Sequence, residues 1–323
     1  MSAAEISMRG LATVCGEREM SAEALAALQG CSVAAAERSL GDSRLLVTDL
    51  ASEVDLGVAA AELCLARAGV AAGEIDGMIC LGISGWEVSA PIAHYQHRLG
   101  IASLDVGCPL VTDCTTPVTA LRLARSLLLE NAALQRVLVI GASIFRDTTR
   151  TMLPLAEDRY ALVYTDAAFA VLVERGPGIA LLGFGGGTFS ELRDHIERLW
   201  NATPEDRERM PSEVQVLHMS KDMHRTALRR CLAAAALGPQ QIDHVVFARE
   251  AGVGIERSIL RQMALDPERL FRVPRGPSHT TVADQLIALE GLVTGPGQPG
   301  QHVLMAGRTY GIMQCALVRI GAA

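Results

Sequence analysis

Three residues in this chain have side chains suited to moving an acyl group. His279 and Asp284 stand five apart in "PSHTTVADQL" (277–286), and Cys114 opens "CTTPVTALRLARSLL" (114–128). A thiolate is a strong nucleophile, an imidazole can take its proton, and a carboxylate can orient the imidazole. Cys114 and His279 each precede an apolar run of helical period. Unpaired backbone N–H groups and the helix dipole favour negative charge at such a place, and therefore a thiolate at Cys114. Pro117 fits the opening turn of the first helix. A carbonyl attacked at Cys114 would find backbone N–H groups for its oxyanion. Taken singly, Asp284 also fits ordinary first-turn helix charge, and His279 a capping or packed histidine.

The elements that must carry these residues occur twice. "AAELCLARAGVAAGEIDGMICLG" (60–82) resembles "ALRRCLAAAALGPQQIDHVVFAR" (227–249) at an offset of 167. Ala60, Cys64, Leu65, Ala66, Ala68, Ile75 and Asp76 meet identical residues in the second copy. Each copy reads as an amphipathic helix, a short loop and a strand. "RVLVIGAS" (136–143) resembles "HVLMAGRT" (302–309) at an offset of 166, and each is a buried type of strand ended by glycine. Helices over 117–130 and 282–293 precede these two strands. Two matches at nearly one offset predict a duplicated α/β unit with sheets covered on both faces. Cys114 plus 165 gives His279, so a pseudo-twofold axis would bring both helix starts to one site.

Composition agrees with a large buried core. The chain has 323 residues, half of them hydrophobic and 4% aromatic, which predicts two domain-sized units of closely packed helices on sheets. The net charge of −7 comes without a basic, aromatic-interleaved run, so nucleic acid is not an expected partner. No uninterrupted apolar stretch reaches a membrane-spanning length, and "MSAAEISMRG" has no signal-type apolar core, so a cytoplasmic protein without a membrane span is expected. Eight cysteines lack CxxC pairing, the closest two lying six apart, and most sit in apolar runs as buried thiols. No metal site is expected, although His94 and His97 share a helical face.

Several stretches taken together resemble one family. "APIAHYQHRLGI" (90–101), "CTTPVTALRLARSLL" (114–128), "ALVYTDAAFAVLVER" (161–175, with Asp166) and "AGRTYGIMQCALVRI" (306–320) are similar to β-ketoacyl-acyl-carrier-protein synthase III of the thiolase-like superfamily. The resemblance covers nearly the whole chain. It implies an α/β fold of the duplicated, five-layered αβαβα thiolase-like type and a homodimer. It also implies an N-terminal half over 1–177 carrying Cys114 and a C-terminal half over 178–323 carrying His279 and Asp284. The resemblance places Cys114 at the family nucleophile.

The departures bear on the reaction. Condensing members use Cys, His and Asn. Here the strand "IDHVVFAREAG" (242–252) offers Ala248 or Arg249 where that histidine falls, and His279 stands in place of the asparagine. Ser278 replaces the usual glycine, and the glycine-rich turn has become Gly307-Arg308-Thr309-Tyr310. A Cys–His–Asp set suits plain acyl transfer and resembles the branch of the family found in secondary metabolism, including polyketide and antibiotic pathways. Some members there use a Ser–His–Asp set of the same short spacing. The leading expectation is a cytoplasmic, homodimeric acyltransferase working by ping-pong through acyl-Cys114. His279 would be the base, oriented by Asp284, with backbone N–H groups of Cys114 and Gly307 as oxyanion hole. No cofactor is held permanently. An acyl-CoA or phosphopantetheinyl carrier protein is the co-substrate, and the acceptor is a small molecule or carrier protein offering oxygen, nitrogen or sulfur. A condensing enzyme with an altered site, selecting a starter unit, is the alternative, and a non-catalytic partner subunit is a third reading.

Other features have lesser assignments. Arg225 and Arg229, with Arg257 and Arg261, form a basic region where family members dock acidic carrier proteins; a solvated helix face fits equally. "GFGGGTFSEL" (183–192) reads as a turn or bulge at a dimer or domain contact, and 201–215 as a surface insertion over a tunnel mouth. His244 is expected to point away from the site, and Asp113 has no assigned role.

Overall fold

The first half of the chain contributes β1 (Ile6–Cys15), β2 (Arg18–Met20), β3 (Leu45–Val47), β4 (Gly77–Gly82), β5 (Val106–Val111), β6 (Arg136–Ser143) and β7 (Ala167–Arg175). The second contributes β8 (Ile179–Thr188), β9 (His244–Phe247), β10 (Leu270–Phe271), β11 (His302–Thr309) and β12 (Ile312–Arg319). The computed structural model describes residues 5–82, 90–111, 113–146, 149–151, 155, 161–190, 213–249, 253–309 and 311–321. The 201–212 part of the expected insertion and Tyr310 lie outside the described residues.

Apart from the small antiparallel pair β2–β3, the strands run in the order β10-β9-β11-β12-β8-β1-β7-β6-β4-β5. Outward from the β1–β8 seam, both sides repeat one pattern. The two pairings nearest the seam are antiparallel, and the two outer ones are parallel. The seam itself is short and antiparallel, pairing Ser7 with Ala180 and Met8 with Ile179.

Helices fill the layers between and outside the strands. They are α1 (Ala22–Gln29), α2 (Val33–Leu40), α3 (Glu53–Ala68), α4 (Pro91–Leu99), α5 (Thr116–Glu130), α6 (Glu213–Met219), α7 (Lys221–Ala235), α8 (Val253–Gln262) and α9 (Asp284–Val293). Strand alternation sorts the side chains. Val137 and Val139 of β6, with Val303 and Met305 of β11, join Leu121 of α5 and Leu289 of α9 in a central core. The intervening Leu138 and Ile140 pack with Ala61 and Leu65 of α3. Leu304 and Ala306 pack with Leu228 and Cys231 of α7. The layers are therefore α3, strands, α5 with α9, strands, and α7: the αβαβα arrangement of a thiolase-like fold. Strands buried on both faces explain why their sequences are continuously apolar.

Two details differ from the sequence reading. The glycine-rich run is not a turn: Gly183–Gly187 lie in strand β8, whose register against β12 shifts between Leu181 and Gly183 as the bulge reading allows, while 191–192 lie outside the described residues. A Cβ on Gly185 would lie 2.2 Å from the Ala227 carbonyl oxygen and 2.3 Å from the Cys231 nitrogen, so the alternate glycines Gly183, Gly185 and Gly187 let the α7 backbone lie directly on the strand. Helix α9 begins at Asp284, two residues later than expected, because Thr281 takes a left-handed φ of 57° and turns the chain first.

Candidate active site

Cys114 lies in the turn that leads from β5 into α5. The preceding Asp113 builds that turn. Its Oδ1 accepts from the Thr115 N–H at 2.7 Å and the Thr115 hydroxyl at 2.6 Å, while its own N–H donates to Thr116 Oγ1 at 2.9 Å. A short polar side chain capping the residues after it is the usual way to open a helix. The second half of the chain holds the same turn from the other side. Gln285 Nε2 donates to the Cys114 carbonyl at 2.7 Å. Gly307 approaches so closely that a Cβ there would lie 2.2 Å from that carbonyl oxygen.

The histidine turn is held by the opposite half. Ser278 N–H donates to the Arg44 carbonyl at 2.7 Å, Thr165 N–H to the His279 carbonyl at 2.8 Å, and the Ser143 hydroxyl to the Thr280 carbonyl at 2.8 Å. The Tyr164 ring lies 5.5 Å from the imidazole and is stacked on Phe145 at 4.4 Å. Asp166, fully buried, secures that support: it accepts from the Phe145 N–H at 2.8 Å, the Thr48 N–H at 2.9 Å and Arg150 Nη1 at 2.6 Å.

The structure brings Cys114, His279 and Asp284 into one chain of contacts. Cys114 Sγ is 3.3 Å from His279 Nε2, and His279 Nδ1 is 2.5 Å from Asp284 Oδ2. His279 and Asp284 are buried, while Cys114 is half-buried. The Asp284 carboxylate accepts three further hydrogen bonds, from the Thr280 N–H at 2.8 Å, the Thr280 hydroxyl at 2.7 Å and the Arg249 N–H at 2.9 Å. Burial alone would push this carboxyl up. The neighbouring His279, by charge and hydrogen bond, and the Thr280 donors outweigh it, so Asp284 is held below the ordinary carboxylate range. An ionised Asp284 needs the proton on Nδ1, which leaves the Nε2 lone pair facing the thiol.

Other residues are placed elsewhere. His244 Nε2 lies 3.2 Å from Gln301 Oε1, and Ala248 is fully buried with its N–H on the Ala306 carbonyl at 3.0 Å. Burial pushes the Cys15, Cys64, Cys80 and Cys231 thiols up to about 12, which leaves them as inert core groups. Arg225 and Arg229 are exposed on α7, and Arg225 Nε donates to the Gln262 carbonyl at the end of α8 at 2.9 Å. Arg261 is exposed on α8, and Arg257 pairs with Glu268 at 3.3 Å. Among the described residues, no group of three or more His, Cys, Asp or Glu is placed to hold a metal ion, and no helix is long and apolar enough to cross a membrane.

Gln285 and Tyr164 were missed in the sequence. Gln285 alone left a trace, as an amide inside the otherwise apolar run "QLIAL" of a helix that is buried on most sides.

Comparison with known proteins gives one consistent match. The family model described as 3-oxoacyl-[acyl-carrier-protein (ACP)] synthase III matches residues 110–188, and the model of its C-terminal part matches residues 232–320. The chain is 30% identical over 301 residues to β-ketoacyl-[acyl-carrier-protein] synthase III of Rhodospirillum centenum, covering 88% of each chain. In fold it is similar to 3-oxoacyl-(acyl carrier protein) synthase III, FabH, of Pseudomonas aeruginosa PAO1, with a TM-score of 0.77, 22% identity and 99% of both chains covered. It is similar also to ChlB3, described as an acyltransferase, with a TM-score of 0.79, 20% identity and 98% of both chains covered.

Proposed function

Because the chain belongs to the 3-oxoacyl-[acyl-carrier-protein] synthase III family, and so is a thiolase-like enzyme of the acyl-transferring or condensing kind, we propose that it transfers acyl groups without decarboxylative condensation. The observation that carries this reading is the continuous Cys114–His279–Asp284 contact, with Ala248 or Arg249 at the strand exit where condensing relatives keep their histidine. The donor is a carrier-protein or CoA thioester. The Cys114 thiol gives its proton to His279 Nε2, and the sulfur attacks the thioester carbonyl. The oxyanion rests on the backbone N–H groups of Cys114 and Gly307. Collapse expels the pantetheine sulfur, which takes the proton back from the imidazolium, and acyl-Cys114 remains. The hydroxyl, amine or thiol of the acceptor then gives its proton to Nε2 and attacks the acyl carbon, and the proton returns to the Cys114 sulfur as it leaves. Asp284 stabilises the imidazolium in both halves of the cycle.

Losing carbon dioxide from a malonyl thioester asks for two neutral donors on the thioester carbonyl, and His279 is already engaged by Asp284. Condensation remains the second reading, and the relatives named β-ketoacyl synthase favour it. Intact-protein mass spectrometry separates the two. After incubation with acyl-CoA and acyl-carrier thioesters, Cys114 is expected to carry an acyl adduct that survives a chase with malonyl-carrier protein, and Cys114→Ala to carry none. A product two carbons longer would establish condensation instead.

A role in polyketide or antibiotic biosynthesis in the cytoplasm is part of the same proposal; the acyltransferase description of ChlB3 supports its acyl-transfer part alone. Carrier-protein docking on Arg225, Arg229, Arg257 and Arg261 rests on the basic faces of α7 and α8. We infer a homodimer from β5, the last strand of the order, which among the described residues leaves one edge open and exposes Val111 to 76%. Light scattering at micromolar concentration is expected to give twice 34.3 kDa; a stable monomer would refute it.

A further inference from the structure

The exit of β9, where condensing relatives keep their histidine, holds Ala248 and Arg249 here. Arg249 follows Ala248, and its side chain is 11% exposed. Its backbone N–H donates to Asp284 Oδ2 at 2.9 Å, and its Nη1 donates to the Pro277 carbonyl at 2.6 Å. The two contacts lie at opposite ends of the segment that carries His279. Gly276, one residue earlier, would bring a Cβ within 2.8 Å of Nη1, so the turn is built around the guanidinium. Phe247, Phe271, Val273 and Ile287 give the side chain apolar walls.

Two features of this arrangement are costly. Nη2 is buried without a hydrogen bond among the described residues, its nearest carboxylate oxygen being Asp42 Oδ1 at 3.9 Å. Thr281, inside the clamped segment, holds a left-handed φ of 57°, which a β-branched residue adopts only under constraint. A buried cation with an unmet donor calls for a structural reason. We propose that Arg249 is a positioning residue, a clamp that fixes both ends of residues 277–284 and so holds His279 between Asp284 and Cys114. The clamp rests on the acyl-transfer reading of this site and extends it.

Charged and titratable groups surround the clamp from every side. His279 acts on Asp284, Asp284 in turn acts on Cys15 and Glu256, and Arg272, Asp284, Asp42 and Glu256 act on Arg249. Glu256 is itself bonded to Arg272 Nε at 2.7 Å. The test is made in the full-length chain with Arg249→Met, close in length but without charge or donors, and Arg249→Lys, which keeps a point charge but loses the planar fork. Folding is followed by melting temperature. The pH profile of Cys114 alkylation by iodoacetamide is compared with wild type and His279→Ala. Acylation of Cys114 is followed with acetyl-CoA and hexanoyl-CoA.

Arg249→Met is expected to lower the maximal acylation rate about tenfold, with half-saturation within about twofold, because a misplaced base lowers the chemical step and not binding. Its alkylation profile moves toward that of His279→Ala, and Arg249→Lys falls between Met and wild type. A folded Arg249→Met with the wild-type profile and rate overturns the clamp. If Arg249→Met does not fold, Arg249→Lys decides: a displaced alkylation profile supports the clamp and an unmoved one overturns it. If wild-type Cys114 alkylates in a His279-dependent way yet accepts no acyl group from any thioester, the acyl-transfer reading falls. The alkylation arm still judges the clamp in that case.

Discussion

Asp284→Asn is expected to lower the rate of acyl transfer by about 10³–10⁴-fold. The carboxylate receives four donors, from His279 Nδ1, the Thr280 N–H and hydroxyl, and the Arg249 N–H. An amide has one oxygen to offer. If that oxygen keeps the two Thr280 donors, the NH₂ faces His279 Nδ1, which must then become an acceptor. The proton moves to Nε2, and the lone pair that faced the thiol is lost. The NH₂ also meets the Arg249 N–H, donor against donor, which costs about 1–3 kcal/mol of stability. Acylation rate and thermal denaturation of the two proteins check both effects, and a wild-type rate in Asp284→Asn would remove Asp284 from the mechanism. The same carboxylate fixes an acid limit. Its folded pKa is depressed, so the unfolded chain protonates first as the pH falls through the ordinary value near 3.9. The stability it contributes is fully present above that pH and is lost below it, as the pH falls through the folded value.

Gly307→Ala is the second large effect. The added methyl would lie 2.2 Å from the Cys114 carbonyl oxygen and 2.4 Å from Gln285 Nε2. The first atom is backbone, and the second belongs to a fully buried side chain that bonds the same carbonyl. Relief therefore requires the nucleophile turn or strand β11 to move. Overpacking of this kind costs about 1–3 kcal/mol, and a displacement of about 1 Å at the nucleophile lowers the rate about 10²-fold. A melting curve and an acylation rate equal to wild type would show that β11 shifts aside freely.

What the sequence makes legible follows from locality. The helix–strand pairs at offsets of 166 and 167 are local patterns, and both recur as α3–β4 with α7–β9 and as β6 with β11. Cys114, His279 and Asp284 are legible because few residue types perform their chemistry, Cys114 and His279 precede helices, and Asp284 opens one. The supports are not legible. Tyr164 beneath His279 and Gln285 on the Cys114 carbonyl are placed by how the two halves meet, and no local spacing encodes that. The glycines of β8 look like turn residues because glycine marks turns and close approaches alike. Only the position of α7 separates the two.

The nucleophile and its base also have different birthdays. Cys114 emerges from the ribosome 165 residues ahead of His279, a delay of roughly 8–33 s at typical synthesis rates. The segments that grip the histidine turn, around Arg44, Ser143 and Thr165, are all made before it. Gln285 and Gly307, which support the Cys114 turn, are made later still. Throughout that interval the thiol is without His279, and the contact that activates it can form only once nearly the whole chain has been made.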